Sequence, residues 1–285
     1  MEFGEEEGQK AVPFDLHKQG LGDLVLCLDG TNGNGDFVWS HLLMKVIREG
    51  GKVVVVSARN GPEHYESFLR KNGLDLRRQD IAERVHIKYV VPSMDCTSED
   101  ERNRLSFQVC GYSCEHCTFQ DLQLWQKEGL RLSSTKESET ASGDEEFTLF
   151  VDDLDLLEML APSAEDARKY MSALLHNLHG DISGNSSNKL SMLVALGAVY
   201  PTQDHGWEDQ SLNLNYGEQP SLTEAISHRA GITATVSGLA TGHSNDVHGT
   251  IRVVVQKGDQ MLNEMHTFKN HSSNIVMTNK LTVAV

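Results

Sequence analysis

The stretch that most constrains this chain is Leu24-Val25-Leu26-Cys27-Leu28-Asp29-Gly30-Thr31-Asn32-Gly33-Asn34-Gly35-Asp36-Phe37. It reads as a buried strand, a glycine-rich turn and the first turn of a helix. A phosphate-binding P-loop follows G-x-x-x-x-G-K-S/T, because its glycines let backbone N–H groups wrap the phosphates, its lysine reaches the terminal phosphates and its hydroxyl holds Mg²⁺. Gly30 and Gly35 keep the glycine spacing, with Gly33 between them. The next two positions are Asp36 and Phe37, so a carboxylate would face the γ-phosphate and nothing would hold the metal. The scaffold of a nucleotide site is present without its chemistry.

Downstream of the turn the chain alternates between helical and strand patterns. Val38, Leu42 and Val46 lie beside Trp39, Leu43 and Ile47, two adjacent i, i+4 rows that form one buried helical stripe ending at Gly50-Gly51. Val53 to Val56 is an unbroken β-branched run, the mark of a strand covered on both faces. A helix fits Glu63 to Lys71, and a strand fits Val85 to Val91, ending at Pro92. Later come a helix over Gln120 to Glu128, the strand Phe147 to Val151, a helix over Ala164 to His179 and the apolar strand Leu190 to Val199. Alternating strands and helices predict an α/β fold with a parallel sheet between two helical layers, binding at the carboxyl ends of its strands.

Near the end the periodicity changes. Ile232, Ala234 and Val236, and then Ile251, Val253 and Val255, alternate with mostly polar residues, which predicts antiparallel strands joined through the glycine-containing segment 238–249. A further strand fits Asn274 to Val283. The expected organisation is a flexible acidic arm over 1–20 and one domain over 21–285. That domain carries an acidic loop insertion at 133–146 and a polar insertion at 202–219.

Composition narrows the function. A net charge of −16 argues against the chain acting by itself as an electrostatic nucleic-acid binder. No apolar run reaches the roughly 18 residues of a membrane span, and the acidic start differs from a basic leader, so a non-exported protein without membrane contact is expected. Five cysteines, an odd number, fit free thiols in a reducing compartment.

Val151-Asp152-Asp153-Leu154 places acidic residues where a strand ends. In P-loop ATPases such a carboxylate positions Mg²⁺ or water; the plainer alternative is a helix cap. Cys110, Cys114 and Cys117 have the C-x₃-C-x₂-C spacing of a three-thiolate iron–sulfur motif, and zinc with His116 is a further option. Free thiols in a connecting segment are the simpler reading. His176 and His179, and the loop-flanking His243 and His248, have no acid or cysteine at ligand spacing and read as solvated. The segment Gly238 to Gly249 is either a hairpin loop or a pore or partner contact comprising Thr241, Gly242, His243, Asp246, His248 and Arg252, in which Asp246 would anchor the turn and His243 and Arg252 would meet phosphate.

Taken together, Gly238-Leu239-Ala240-Thr241-Gly242 with Asp246-Val247-His248-Gly249, Val151 to Leu154, and His64-Tyr65 with Lys71-Asn72-Gly73 resemble the family of the sixth subunit of Elongator, the tRNA wobble-uridine modification complex. The blocks run from about Leu24 to Val254. The family lacks an intact Walker lysine, as here at Asp36, whereas the Cys110 to Cys117 cluster and the acidic tract fall outside the shared pattern. The resemblance implies a RecA-like fold, with Gly30, Gly33, Gly35, Asp36, Asp152 and Asp153 as a vestigial nucleotide site. It also implies a heterohexameric ring with subunits four and five that binds tRNA and supports carbamoylmethyl and methoxycarbonylmethyl modification of the wobble uridine. No catalytic residue, no cofactor and no metal are expected, and the compartment implied is cytoplasmic with the nucleus as a second site. The competing classes are a metal–thiolate protein built on Cys110, Cys114 and Cys117, and an acidic protein-binding module without tRNA contact.

Overall fold

The computed structural model describes residues 24–30, 32–91, 113–128, 130, 145–179, 188–198, 220–239, 247–257, 260–270 and 275–283. In chain order the elements are β1 (Leu24–Asp29), α1 (Asp36–Arg48), β2 (Lys52–Ser57), α2 (Pro62–Lys71), α3 (Gln79–Ala82), β3 (Val85–Val90), β4 (Ser113–Cys117), α4 (Phe119–Lys127), β5 (Glu145–Val151), α5 (Leu154–Leu160), α6 (Ala164–His179), β6 (Asn188–Ala198), α7 (Leu222–Ser227), β7 (Ile232–Gly238), β8 (Gly249–Lys257), β9 (Gln260–Asn270) and β10 (Ile275–Val283). The strands form one sheet in the order β10-β9-β8-β7-β1-β6-β5-β2-β3-β4. From β7 to β4 every pairing is parallel; β8, β9 and β10 add on antiparallel beyond β7.

Strands in the middle of such a sheet are wetted on neither face, which is why β1 and β2 are nearly all apolar. Val25 and Cys27 of β1 enter a core with Val38, Trp39 and Leu42 of α1 and with Tyr65 and Leu69 of α2. Leu24, Leu26 and Leu28 enter the opposite core, covered by α4 to α7 through Leu122, Leu157, Leu174 and Ile226. The result is three layers, helix–sheet–helix. Gly50 (φ +88°) and Gly73 (φ +81°) close α1 and α2 in the left-handed conformation that a side chain resists.

Differences from the sequence reading are local and physical in origin. Cys110 to Cys117 does not serve only as a connecting segment: Ser113–Cys117 is the strand β4, with Cys114 opposite Ile87 and Cys117 opposite Val90. Cys117 is buried and Cys110 lies outside the described residues. The strand β5 begins at Glu145, so the last two residues of the expected 133–146 loop belong to the sheet; 133–144, 1–20 and 202–219 lie outside the described residues. The helices α3 and α7, four and six residues long, are too short to show a period, and β9 carries Glu264 and His266 on the face of Phe268, where alternation would call for apolar residues. Pairing on both sides, with β8 and β10, holds β9 in the sheet despite its own weak pattern.

Candidate functional site

The glycine turn lies where expected, at the carboxyl end of β1, and is closed upon itself and upon β7. The Gly30 N–H donates to the Val236 carbonyl at 2.7 Å and the Gly33 N–H to the Gly30 carbonyl at 3.0 Å. A Cβ on Gly33 would stand 2.0 Å from the Val236 carbonyl oxygen, and one on Gly30 would stand 2.5 Å from Ser237 Oγ. These glycines are needed for the approach of two backbones.

The start of α1 is also occupied. A helix N-terminus offers unpaired N–H groups that favour anions. Here the Asp29 carboxylate accepts from the Gly35 N–H, and Asn34 Oδ1 accepts from the Asp36 N–H at 2.7 Å. The chain supplies its own anion. Asp36, at the lysine position, pairs with Arg59 at 3.5 Å, and Phe37, at the hydroxyl position, packs its ring against Phe268 of β9 with centroids 4.8 Å apart.

The second half of the expected site, Asp152-Asp153, follows β5, and β6 runs between β5 and β1. The two halves are therefore on second-neighbour strands. The Trp39 indole N–H of α1 spans the gap, donating to the Val151 carbonyl at 3.0 Å. The two aspartates do different work. Asp153 caps α5, its Oδ1 accepting from the Leu156 N–H at 2.8 Å, as the plainer sequence alternative held.

Asp152 is 1% exposed and takes donors on both oxygens. Oδ1 accepts from the N–H groups of Ala58 (2.7 Å) and Arg59 (3.2 Å). Oδ2 accepts from Ser57 Oγ (2.5 Å), Tyr65 Oη (2.6 Å) and the Asn60 N–H (3.1 Å). Successive N–H groups in a turn make an anion-binding concavity; the turn after β2 binds a carboxylate from its own chain. These donors engage both oxygens of the carboxylate.

Electrostatically this edge is acidic around Arg59. Burial pushes the carboxyl of Asp29 up; the Gly35 N–H opposes this, the charge of Asp36 adds to it, Arg59 opposes and Asp155 adds. Burial likewise raises Asp153, opposed by its bond from Leu156 and reinforced by Asp155 and Asp152. Tyr65 is pushed up, first by burial and then by the Asp152 charge. Asp155 itself accepts from the Ala198 N–H and Thr223 Oγ1, each at 3.0 Å, tying α5 to the end of β6 and to α7.

Arg252 is exposed on β8 and its Nε donates to Asn263 Oδ1 at 3.2 Å. The His248 N–H donates to the Phe268 carbonyl at 2.8 Å. Thr241, Gly242, His243 and Asp246 lie outside the described residues, as do Cys110 and the side chain of Cys114. His176 is exposed on α6. Among the described residues no group of three or more His, Cys, Asp or Glu side chains is placed to hold a metal ion, and no helix is long and apolar enough to cross a membrane.

Sequence reasoning missed Asp29, Ser57, Arg59 and Tyr65. Asp29 carried a signal, a carboxylate at a strand end directly before the first glycine, and Tyr65 stood in the His64-Tyr65 block of the family resemblance. Ser57, Arg59 and Tyr65 become partners of Asp152 and Asp36 through the pairing of β2 with β5.

Comparison with known proteins adds three findings. The family model described as Elongation complex protein 6 matches residues 11–274. A relative, the Elongator complex protein 6 of Rattus norvegicus, is 25% identical over 243 residues, covering 84% of this chain and 81% of the relative. A solved KaiC-like protein of the hyperthermophilic archaeon Pyrococcus horikoshii OT3 superposes with a TM-score of 0.50 at 13% identity, covering 91% of each chain. That likeness shows the fold, and it is the RecA-like fold the sequence implied.

Proposed function

Since the chain belongs to the Elongation complex protein 6 family and is an Elongator subunit, we propose that it serves as a non-catalytic RecA-like member of a heterohexameric ring with subunits four and five. The ring binds tRNA and supports wobble-uridine modification by the remaining Elongator subunits. This subunit needs no cofactor or metal of its own, makes no membrane contact and works in the cytoplasm and nucleus.

One observation carries the non-catalytic part. Among the described residues, four groups of the would-be nucleotide site are engaged by the protein: Asp29 on the Gly35 N–H, Asp36 on Arg59, Phe37 on Phe268 and Asp152 on the turn after β2. Electrostatic stabilisation of a transferring phosphoryl group needs cations and N–H donors aimed at it. This edge offers carboxylates, and the N–H groups of Gly30, Gly33, Gly35 and Asp36 are already bonded. The acidic net charge fits an assembly role in which neighbouring subunits supply basic surface for tRNA.

The reading is tested by co-expressing the chain with Elongator subunits four and five, measuring the mass by light scattering and assaying tRNA binding by gel shift on the same sample. A six-chain assembly that retards tRNA, with no ATP turnover by the isolated chain, is the expected result. A monomer that ignores both subunits, or an isolated chain that hydrolyses ATP at the rate of a P-loop enzyme, would overturn it.

A further inference from the structure

We infer that the amino edge of the sheet, opposite the glycine turn, is a surface of this chain for the phosphate backbone of RNA. Each strand is followed by a helix that runs back across the sheet, so α1 and α2 end, at Arg48 and Lys71, near where the parallel strands β2 and β3 begin, at Lys52 and Val85. Basic residues gather there. From Lys45 to Arg84, leaving out Arg59 and Glu63 at the carboxyl edge, there are eight Lys and Arg against five Asp and Glu, in a chain whose totals are 25 against 41. Part of this is helix chemistry, since the carbonyl end of a helix attracts cations: Lys45 and Arg48 stand in the last turn of α1, Arg70 and Lys71 in that of α2.

Helix ends do not account for the way the arginines are held. Arg48 Nη2 donates to the Asn72 carbonyl at 3.0 Å, joining the ends of α1 and α2. Arg84 Nη1 donates to the carbonyls of Ile47 (2.9 Å) and Gly51 (3.2 Å), and its Nε to that of Asp80 (2.7 Å). These acceptors are uncharged, so both guanidinium groups are fixed in place with their charge retained. Arg70 and Arg77, both exposed, share one oxygen of Glu66 at 4.0 and 3.8 Å, and Arg77 also stands 3.6 Å from Asp75. Lys71, beside Arg70, is exposed as well. Arg78 differs, its fork closed on Asp80 at 3.2 and 2.9 Å. An RNA backbone is met by cations and hydrogen-bond donors, whereas the centre of a protein interface needs large aromatic or apolar anchors. Among the described residues the exposed large apolar side chains, Leu124, Met159, Met261 and Leu262, lie on α4, α5 and β9. Charge and composition here favour phosphate over a protein partner.

This role rests on the proposed tRNA binding by the ring, to which it adds basic surface from this chain beside that of its neighbours. In the co-purified assembly with subunits four and five, Arg70→Gln, Lys71→Gln and Arg77→Gln are combined and compared with the combination of Lys127→Gln, Lys169→Gln and Arg229→Gln, which removes the same charge from exposed positions on other elements. Gel shifts over a range of salt concentrations give tRNA affinity and its salt dependence, and light scattering gives the mass. The first triple is expected to weaken tRNA binding about tenfold and to lower the slope of log affinity against log salt by about two to three, at unchanged mass. The loss is expected to be equal for tRNAs of unlike sequence, because phosphates carry none. Lys71→Gln alone, a change at one exposed side chain, is expected to lower the slope by about one, and the second triple to match the parent. A parent assembly that does not retard tRNA overturns the proposed function and this inference together. A parent that binds, with the first triple and Lys71→Gln unaltered in slope, overturns the inference alone, as does an equal loss in both triples. Loss of a subunit from the first triple, with Lys71→Gln at the parental slope, overturns it in favour of a protein contact.

Discussion

Replacing Asp152 by asparagine changes one atom and separates a structural carboxylate from a metal-binding one. Two fixed backbone donors, Ala58 and Arg59, point at Oδ1, and the Asn60 N–H with two hydroxyls points at Oδ2. The new NH₂ group would turn toward the Oδ2 side, where the hydroxyls of Ser57 and Tyr65 can rotate to accept. The Asn60 N–H cannot rotate, so it meets another donor and keeps only its bond to Ser57 Oγ at 3.2 Å, and the remaining bonds lose their charge assistance. With about 1.5–3 kcal/mol for the lost bond to a charged group and weaker bonds elsewhere, Asp152→Asn should cost about 2–4 kcal/mol. For a chain of this size that corresponds to a fall in Tm of about 5–15 °C, read by differential scanning fluorimetry and checked by urea titration. Because Tyr65 donates to the same oxygen, the cost of Tyr65→Phe should be smaller in the Asp152→Asn background than alone, a coupling visible in a double-mutant cycle. A Tm within about 1 °C of the parent, with loss of a Mg²⁺-dependent property in its place, would refute the reasoning and return Asp152 to the role of a metal-site aspartate.

Asp29→Asn keeps an acceptor for the Gly35 N–H and removes one charge from the acidic edge. The folded carboxyl titrates above its ordinary 3.8, so its proton favours the fold below that pH and the contribution is lost as pH rises through the folded value. The variant should therefore be more stable than the parent at pH 7, and the two urea midpoints should converge as pH falls below 3.8; a variant less stable at pH 7 contradicts this. Tyr170 is 2% exposed and its hydroxyl has no partner among the described residues. Tyr170→Phe should gain about 1 kcal/mol in chemical denaturation, whereas a loss of that size would mean that the hydroxyl is bonded. Gly33→Ala drives a methyl onto the Val236 carbonyl and should cost about 1–3 kcal/mol in the same assay. Restoring the motif with Asp36→Lys and Phe37→Thr should yield no Mg-ATP binding by calorimetry, because Asp29 and β7 still fill the turn; measurable heat of binding would disprove that closure.

The elements whose pattern is their own were legible from the sequence. The double stripe of α1, the valine run of β2 and the alternation of β7 and β8 are each dictated by which faces must be dry, and burial follows them residue by residue. The substitution of Asp36 and Phe37 for the lysine and hydroxyl was equally plain, since local chemistry at a fixed spacing needs no partner to be read. What the sequence left open was decided by strands distant in the chain. Whether Asp152 faces a metal or a turn depends on β2 lying beside β5, some ninety residues apart in sequence. Whether the glycines cradle phosphate or admit a backbone depends on β7 lying beside β1, about two hundred residues apart. A spacing motif fixes which donors and acceptors a segment carries, but only the pairing of distant strands fixes what they meet, and here they meet the protein itself.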